Sequence, residues 1–389
     1  MGIERGTPQI GQYRLVGLTW SKFATIWGMI SARSTSTELG IETCDPMKKP
    51  DLDPTVIFEL FRGGHATELL TASVAHFNVF GQLAEQPLFC DELRSRLELE
   101  DRPSVVLFTA LKAFGLLVED QHGILSLTEL ARHHLVPGAE FDVGNYVGLA
   151  AQSPNVLDMV ERLKTNSPAG ADSDSGAAFI YRDGIASAME AEESARHFTM
   201  ALAGRAKNVA PVLAENVPMA DAKLLVDVGG GTGIYSFALL QKNPQLHAVI
   251  VDRPEVLRIA EELAAEYGVA DRAELVPGDM FADPLPTKAD VVLLSNILHD
   301  WDIPECRQLV KRCADSLADK GRLLVHDVFL NDALDGPLPI ALYSASLFYF
   351  TEGRAYSAAE YRSWLSEAGL MSGEIIPTLI HCGVLTASR

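Results

Sequence analysis

Basic residues are in short supply in this chain. Lys and Arg total 32 against 52 Asp and Glu, a formal net charge of −20 over 389 residues. So acidic a surface repels nucleic acid, which excludes binding through a broad basic face. Cysteine is sparse as well: five residues, at positions 44, 90, 306, 313 and 382, with no C-x-x-C spacing. An odd, scattered set is neither a disulfide framework nor a zinc pattern. It fits a reducing cytoplasm, with Cys90, Cys306 and Cys313 serving as small buried apolar residues. No apolar run reaches the length needed to span a bilayer, so no membrane association is expected. No acidic cluster has the spacing of a Mg²⁺ site, and metal-independent chemistry is expected.

What is present is concentrated between residues 224 and 301. In Leu224-Leu-Val-Asp-Val-Gly-Gly-Gly-Thr-Gly233, three apolar residues read as a buried parallel strand and Asp227 marks its carboxyl end. Gly229, Gly230, Gly231 and Gly233 then turn the chain into a helical pattern, where glycine lets the backbone approach a ligand and adopt positive φ. The run does not match a dinucleotide fingerprint, whose third glycine would fall on Ser236, and no Gly-Lys-Ser/Thr follows to make a P-loop. Asp227 would repel a phosphate, so a cationic or zwitterionic nucleoside suits the turn better. His247-Ala-Val-Ile-Val-Asp252 is a second strand ending in an acid, placed to hold ribose hydroxyls. A weaker third strand leads to Gly278-Asp-Met-Phe281, where Asp279 would accept from an adenine amino group beside Met280 and Phe281. A fourth, from Asp290, delivers His299, Asp300 and Trp301 to the same edge.

Together these residues resemble the class I S-adenosylmethionine-dependent methyltransferases, and within them the dimeric small-molecule O-methyltransferases of plants and their bacterial relatives. Asp227–Gly233 resembles that family's first motif, Val251-Asp-Arg-Pro254 its ribose-binding strand end, and Gly278–Phe281 its adenine side. Ile297-Leu-His-Asp-Trp301 resembles the catalytic-histidine motif, and Gly353–Ser357 with Glu360–Leu370 the C-terminal segment. The resemblance runs from about Met47 to the C-terminus. It implies an α/β, Rossmann-like doubly wound methyltransferase domain that takes S-adenosylmethionine, releases S-adenosylhomocysteine and acts on a small-molecule acceptor. It also implies a homodimer formed through an N-terminal, mostly helical domain.

The organisation along the chain agrees with that reading. Residues 1–46 differ from the rest and are expected to be a poorly ordered extension. Residues 47–150 are helical, with two helices followed by a hairpin whose polar tip is Asp120–Gly123, the order of a winged helix. Its would-be recognition helix carries one Lys and no Arg, so packing against a twin is favoured over DNA. Residues 151–389 form the cofactor-binding domain, in which 151–217 are helices expected to line the acceptor pocket. Within them lie a Pro/Gly/Ser-rich loop at 167–176 and a long helix over 190–212.

Imidazole titrates near neutrality, which suits removal of a hydroxyl proton, and His299 at a strand end is the candidate base. The resemblance places two carboxylates around that histidine. Asp327 stands at the first position, where the family has glutamate. Ala355 stands at the second, a departure that leaves Glu352 or Tyr356 to substitute. Ser295 stands where plant members have a lysine near the cofactor. His326 is expected to pack beside its strand, with a second acid-base group as the alternative, Asp300 to cap the following helix, and His133-His134 to lie at the surface near a helix end. The cofactor set is thus Gly229, Gly231, Asp252, Asp279, Met280, Phe281 and Ser295, the catalytic pair His299 and Asp327, and the acceptor lining Met200, Tyr343 and Phe350. Two other readings fit the same scaffold. One is an S-adenosylmethionine-binding enzyme repurposed as a hydroxylase, decarboxylase or pericyclase. The other is a non-catalytic winged-helix regulator.

Overall fold

A computed structural model describes residues 47–168 and 192–389 of the chain. The expected extension over 1–46 and nearly all of the 167–176 loop lie outside the described residues. The N-terminal part runs α1 (Thr55–Arg62), α2 (Ala66–Thr71), α3 (Val79–Glu85), β1 (Leu88–Phe89), α4 (Cys90–Arg96), α5 (Asp101–Ala113), β2 (Leu117–Glu119), β3 (Ile124–Leu127), α6 (Glu129–His134), α7 (Gly144–Val147) and α8 (Pro154–Thr165). The hairpin expected from its polar tip is β2–β3, with β1 added to give the order β1-β3-β2. Its turn closes because the Asp120 carboxylate accepts from the amides of His122 and Ile124 (2.8 and 3.0 Å), and Gly123 takes φ of +79°. The helix α5 is buried nearly all round, Val106, Leu107, Ala110 and Leu111 included. Even Lys112 is tucked in, paired with Glu119 at 2.6 Å. This helix has no face left to enter a DNA groove.

The rest comprises α9 (Glu192–Asn216), β4 (Leu224–Val228), α10 (Ile234–Lys242), β5 (His247–Asp252), α11 (Pro254–Glu266), β6 (Ala273–Pro277), β7 (Ala289–Ser295), α12 (Ile303–Ser316), β8 (Leu317–Leu330), α13 (Leu338–Phe350), β9 (Tyr356–Ser357), α14 (Ala358–Glu367), β10 (Met371–Pro377) and β11 (Cys382–Ser388). The main sheet has the order β10-β11-β8-β7-β4-β5-β6. Strands β4 to β8 pair in parallel, whereas β11 runs antiparallel to β8, and β10 to β11. The order reverses between β4 and β7, so their carboxyl ends open a crevice at the switch point. Both faces of the sheet are covered. Leu225 and Ile250 pack in the layer of α9, α10 and α11, while Val226 and Val251 pack against α12 and α14. This two-sided burial is why the strands read as unbroken apolar runs.

The N-terminal helices form their own apolar cluster from Leu69 to Leu163, which takes in Ala345 and Phe348 of α13. Arg102 of α5 ties this layer to the sheet side. Its guanidinium donates to Asn166 Oδ1 (2.8 Å) and to the carbonyls of Thr351 (2.9 Å) and Gly353 (3.1 Å). Among the described residues, no helix is long and apolar enough to cross a membrane.

Candidate active site

The glycine turn after β4 is built for a ligand at one residue and for packing at its neighbours. Gly229, Gly231 and Gly233 all take positive φ, +69°, +59° and +73°. A Cβ on Gly229 would stand 2.7 Å from Ile297, and one on Gly233 would enter the Phe237 ring at 2.4 Å. At Gly231 nothing lies within 4 Å, so its bare face borders open space. The Gly231 amide donates to Asp252 Oδ2 (2.7 Å), and Asp252 Oδ1 accepts from the Arg253 amide (2.7 Å). Asp227 is buried at 1 % exposure. Its Oδ2 accepts from Ser236 (2.6 Å), while Oδ1 has no partner among the described residues. Burial, with a contribution from the charge of Asp252, pushes the Asp227 carboxyl up to about 7. An orphaned buried acceptor beside a glycine face with room before it fits a ligand that brings a hydrogen-bond donor or positive charge.

The turn after β6, expected to be the adenine side, is held by a different device. Asp279 is exposed, and its Oδ1 accepts from the amides of Phe281 (2.7 Å) and Ala282 (3.3 Å). That turn sends Met280 and Phe281 inward against Ile297 and Trp301, with the Phe281 and Trp301 rings edge-on at 4.7 Å. Met280 Sδ lies 3.6 Å from where a Gly229 Cβ would be, so the apolar wall adjoins the glycine turn. S-adenosylmethionine would fit this set of residues: Asp252 would hold the ribose, and Met280 and Phe281 would flank the base. Asp252→Ala removes the ribose acceptor and the brace of Gly231 together. Its expected effect is a cofactor Kd raised roughly tenfold to a hundredfold, as loss of charge-assisted hydrogen bonds gives, measured by calorimetry.

His299 sits in a short 3-10 turn, Leu298–Asp300, just beyond the β7 end. It is 3 % exposed. Its Nδ1 lies 2.5 Å from Asp327 Oδ1, on the neighbouring strand β8. Asp327 is in turn held by the Val328 amide (2.8 Å) and the Tyr361 hydroxyl (3.1 Å). This leaves Nε2 as the nitrogen free for chemistry, with Asp300 Oδ1 3.7 Å from it. Burial alone would lower the imidazole, but Asp327, Tyr343 and Asp300 prevail and raise it to about 10. Asp327 moves the other way: burial opposes ionisation, and the His299 charge and hydrogen bonds hold it below its ordinary value. Burial also lifts Asp300 to about 6.

The structure corrects one expectation. Asp302 caps α12, accepting from the Ile303 amide at 2.8 Å. Asp300 instead faces His299, because Trp301 is extended (φ −119°, ψ 152°) and starts the helix two residues later. His326 packs as expected. It is fully buried between Ser295 Oγ (2.8 Å) and Thr378 Oγ1 (3.0 Å), and burial drives it down to about 3, so it stays neutral. Ser295 is therefore engaged with His326 at the cofactor edge. His133 and His134 end α6, rings 6.2 Å apart.

Tyr356 and Glu352 were the expected substitutes for the second carboxylate. The Tyr356 hydroxyl donates to the Trp301 carbonyl (2.6 Å), and Glu352 is buried in the turn before Gly353. Ala355 is itself buried, its amide donating to Ser344 Oγ at 3.1 Å. Of the expected acceptor lining, Tyr343 stands edge-on to His299, with centroids 5.7 Å apart. Met200 on α9 is 40 % exposed. Phe350 packs on Tyr349 and His65 in the helical layer. Two residues near His299 had been quoted only as part of a motif. Tyr361 holds Asp327, and Gly353 packs against the histidine turn so closely that a Cβ would stand 2.2 Å from the His299 carbonyl.

A family model for the O-methyltransferase domain matches residues 174–371. The 3-hydroxy-5-methyl-1-naphthoate 3-O-methyltransferase of Streptomyces sahachiroi is 34 % identical over 318 residues, covering 81 % of this chain and 89 % of that protein. The L-tyrosine C(3)-methyltransferase of Streptomyces lavendulae is 30 % identical over 335 residues, covering 83 % and 88 %. Among solved structures, an O-methyltransferase family 2 protein from Planctomyces limnophilus, in complex with apigenin, is 48 % identical with a TM-score of 0.79, covering 89 % of this chain and 98 % of that one. With a family model over half its length and a relative matched almost end to end, the chain belongs to the O-methyltransferase family of S-adenosylmethionine-dependent enzymes.

Proposed function

We propose that this enzyme methylates a hydroxyl of a small aromatic metabolite, with His299 as general base and Asp327 as the residue that orients it. The observation that carries the reading is the buried His299–Asp327 pair at the β7 end, two residues from Ile297, which abuts Gly229. S-adenosylmethionine, when bound, supplies an electrophilic methyl group on sulfur. The protein's part is to place the acceptor oxygen in line with that group and to take its proton at His299 Nε2. Asp327, already occupied by His299, Val328 and Tyr361, fixes the Nδ1–H tautomer and stabilises the imidazolium that forms. With the proton transfer assigned to side chains, no metal enters the proposed reaction. The Streptomyces sahachiroi relative is named for a hydroxynaphthoate and the Planctomyces structure holds apigenin, which supports an aromatic acceptor.

Incubation with S-adenosylmethionine and a panel of phenols, naphthols and aromatic polyketides is expected to yield a product heavier by one CH₂, with one S-adenosylhomocysteine per product. Cofactor binding with no methylated product across the panel would favour a repurposed scaffold instead.

The pH dependence follows from the sign of the His299 shift. A raised imidazole holds its proton at pH 7, so kcat/KM is expected to climb with pH and to level off near the raised value. Asp327→Asn removes the first of the charges that raise it and leaves only Tyr343 and Asp300 to oppose burial. The midpoint is then expected to move to lower pH, even as the maximal rate falls. The acceptor's own ionisation is common to both enzymes, so the displacement between their profiles reports on His299; superimposable profiles would contradict the assignment.

The proposed assembly is a cytoplasmic homodimer through the winged-helix domain of residues 47–150. On α1, Val56, Ile57, Leu60 and Phe61 are 62 %, 70 %, 78 % and 79 % exposed, an apolar stripe at helical spacing that a second subunit would cover. Light scattering is expected to give twice the mass of the 42.2 kDa chain; a monomer at micromolar concentration would refute the dimer.

A further inference from the structure

Among the described residues, two guanidinium groups in the neighbourhood of Tyr343 hydrogen-bond to no carboxylate. Arg62, the last residue of α1, is 7 % exposed. Its guanidinium carbon lies 3.8 Å from the centre of the Tyr343 ring and 5.3 Å from that of Phe58. Among the described residues its side chain makes no hydrogen bond or ion pair. Tyr343 in turn is the ring set edge-on to His299. Arg205, on α9, donates to Asn296 Oδ1 and to Cys382 Sγ (3.0 Å), and its Nε is buried without a partner.

The groups around the two arginines are neutral ones, Tyr235, Tyr343, Cys382 and Asn296, and Arg62 feels the positive charge of Arg205. Asp300 and Asp327 also feel Arg205, but both face His299 and neither hydrogen-bonds an arginine. Buried charge is strongly disfavoured unless an opposite charge meets it. Two such cations side by side need an anion that arrives with a ligand, and the planar guanidinium fork matches a carboxylate.

We propose that Arg62 and Arg205 form a carboxylate-binding corner of the acceptor site. The acceptor is then an aromatic hydroxy acid, its carboxylate held between the two arginines while its hydroxyl meets His299. This rests on the methyltransferase reading above and narrows its substrate class. It also gives Arg62, on the first described helix, a place in the reaction that the motif segments did not offer. The methionine carboxylate of S-adenosylmethionine would be the other source of the same chemistry, and the test separates the two.

The experiment uses the full-length enzyme, a hydroxynaphthoate and the naphthol that lacks its carboxylate. Wild type is expected to prefer the acid by at least tenfold in kcat/KM. Arg62→Met and Arg205→Met are each expected to shrink that preference tenfold to a hundredfold, mainly through KM, while Arg62→Lys restores part of it. Calorimetry with the S-adenosylhomocysteine complex is expected to show the same loss in affinity for the acid. Melting curves identify a variant that fails to fold; the wild-type preference then decides by itself. Equal turnover of acid and naphthol by wild type would overturn the proposal. So would loss of S-adenosylmethionine affinity in both variants with the acid preference intact, which would assign the corner to the cofactor. Binding of the acid through the arginines without methyl transfer would leave the corner standing and sink the methyltransferase reading.

Discussion

His299→Ala is expected to lower kcat by roughly 10²–10⁴-fold while leaving the S-adenosylmethionine Kd nearly unchanged. The imidazole is buried, its Nδ1 committed to Asp327 and its Nε2 the only nitrogen left for a substrate proton. Among the described residues, the other fully buried imidazole is not placed to replace it. His326 is closed off between Ser295 and Thr378 and stays neutral. Of the residues proposed to hold the cofactor, Gly229, Gly231, Asp252, Asp279, Met280 and Phe281 lie at other strand ends, and only Ser295 lies on β7, the strand that leads to His299, so binding is expected to survive the substitution. Asp327→Asn is expected to fall short of that loss, because the amide can still hold the ring, though without the charge that stabilises imidazolium. Single-turnover rates with calorimetric cofactor binding check both variants. Wild-type kcat in His299→Ala would remove it as the base.

Gly353→Ala is expected to damage both stability and rate, although residue 353 contributes no side chain. An added Cβ would stand 2.2 Å from the His299 carbonyl oxygen, 2.6 Å from the Trp301 amide nitrogen and 2.7 Å from the Asp300 carbonyl carbon. All three are backbone atoms, so no rotamer change relieves the clash. One of two packed segments must move. Overpacking of this kind typically costs about 1–3 kcal/mol. The 353 side is anchored by Arg102, which grips the carbonyls of Thr351 and Gly353, so the histidine turn is the part expected to yield. A displacement near 1 Å at the base costs on the order of 10²-fold in rate. The prediction is therefore a lowered Tm together with kcat reduced by about that factor. A wild-type Tm and kcat would show that the two segments separate freely.

The parts of the site that lie on one strand end were the most legible from sequence. A strand buried on both faces is apolar until it emerges, so Asp227 and Asp252 stand out as the first polar residues at the edge, and His299 follows Ser295 and Asn296 just beyond it. The hairpin was equally plain, because Asp120 and Gly123 are local turn chemistry. Contacts made by distant residues were not legible. Arg102 reaches Gly353 across 251 positions, and it falls in the first turn of α5, ahead of the apolar stretch by which the helix is recognised. Two aspartates flank Trp301, and local propensity does not say which one caps α12. The extended Trp301 backbone chooses Asp302 and turns Asp300 toward the imidazole. Asp279 shows the opposite case. It was expected to accept from an adenine amino group, and one of its carboxylate oxygens is spent on the turn that orients Met280 and Phe281. The arginines near Tyr343 could not be found by motif at all, since their meaning comes from lacking a partner in three dimensions.

The most direct test of this account is transfer of a carbon-13-labelled methyl group from S-adenosylmethionine to an aromatic hydroxy acid, read by NMR of the product. The family includes a relative named for methylation at carbon, so the atom that receives the label matters as much as the transfer. A methoxy resonance, lost in His299→Ala, is the predicted result. A label on ring carbon or nitrogen, or a methoxy product formed equally well without His299, would contradict it.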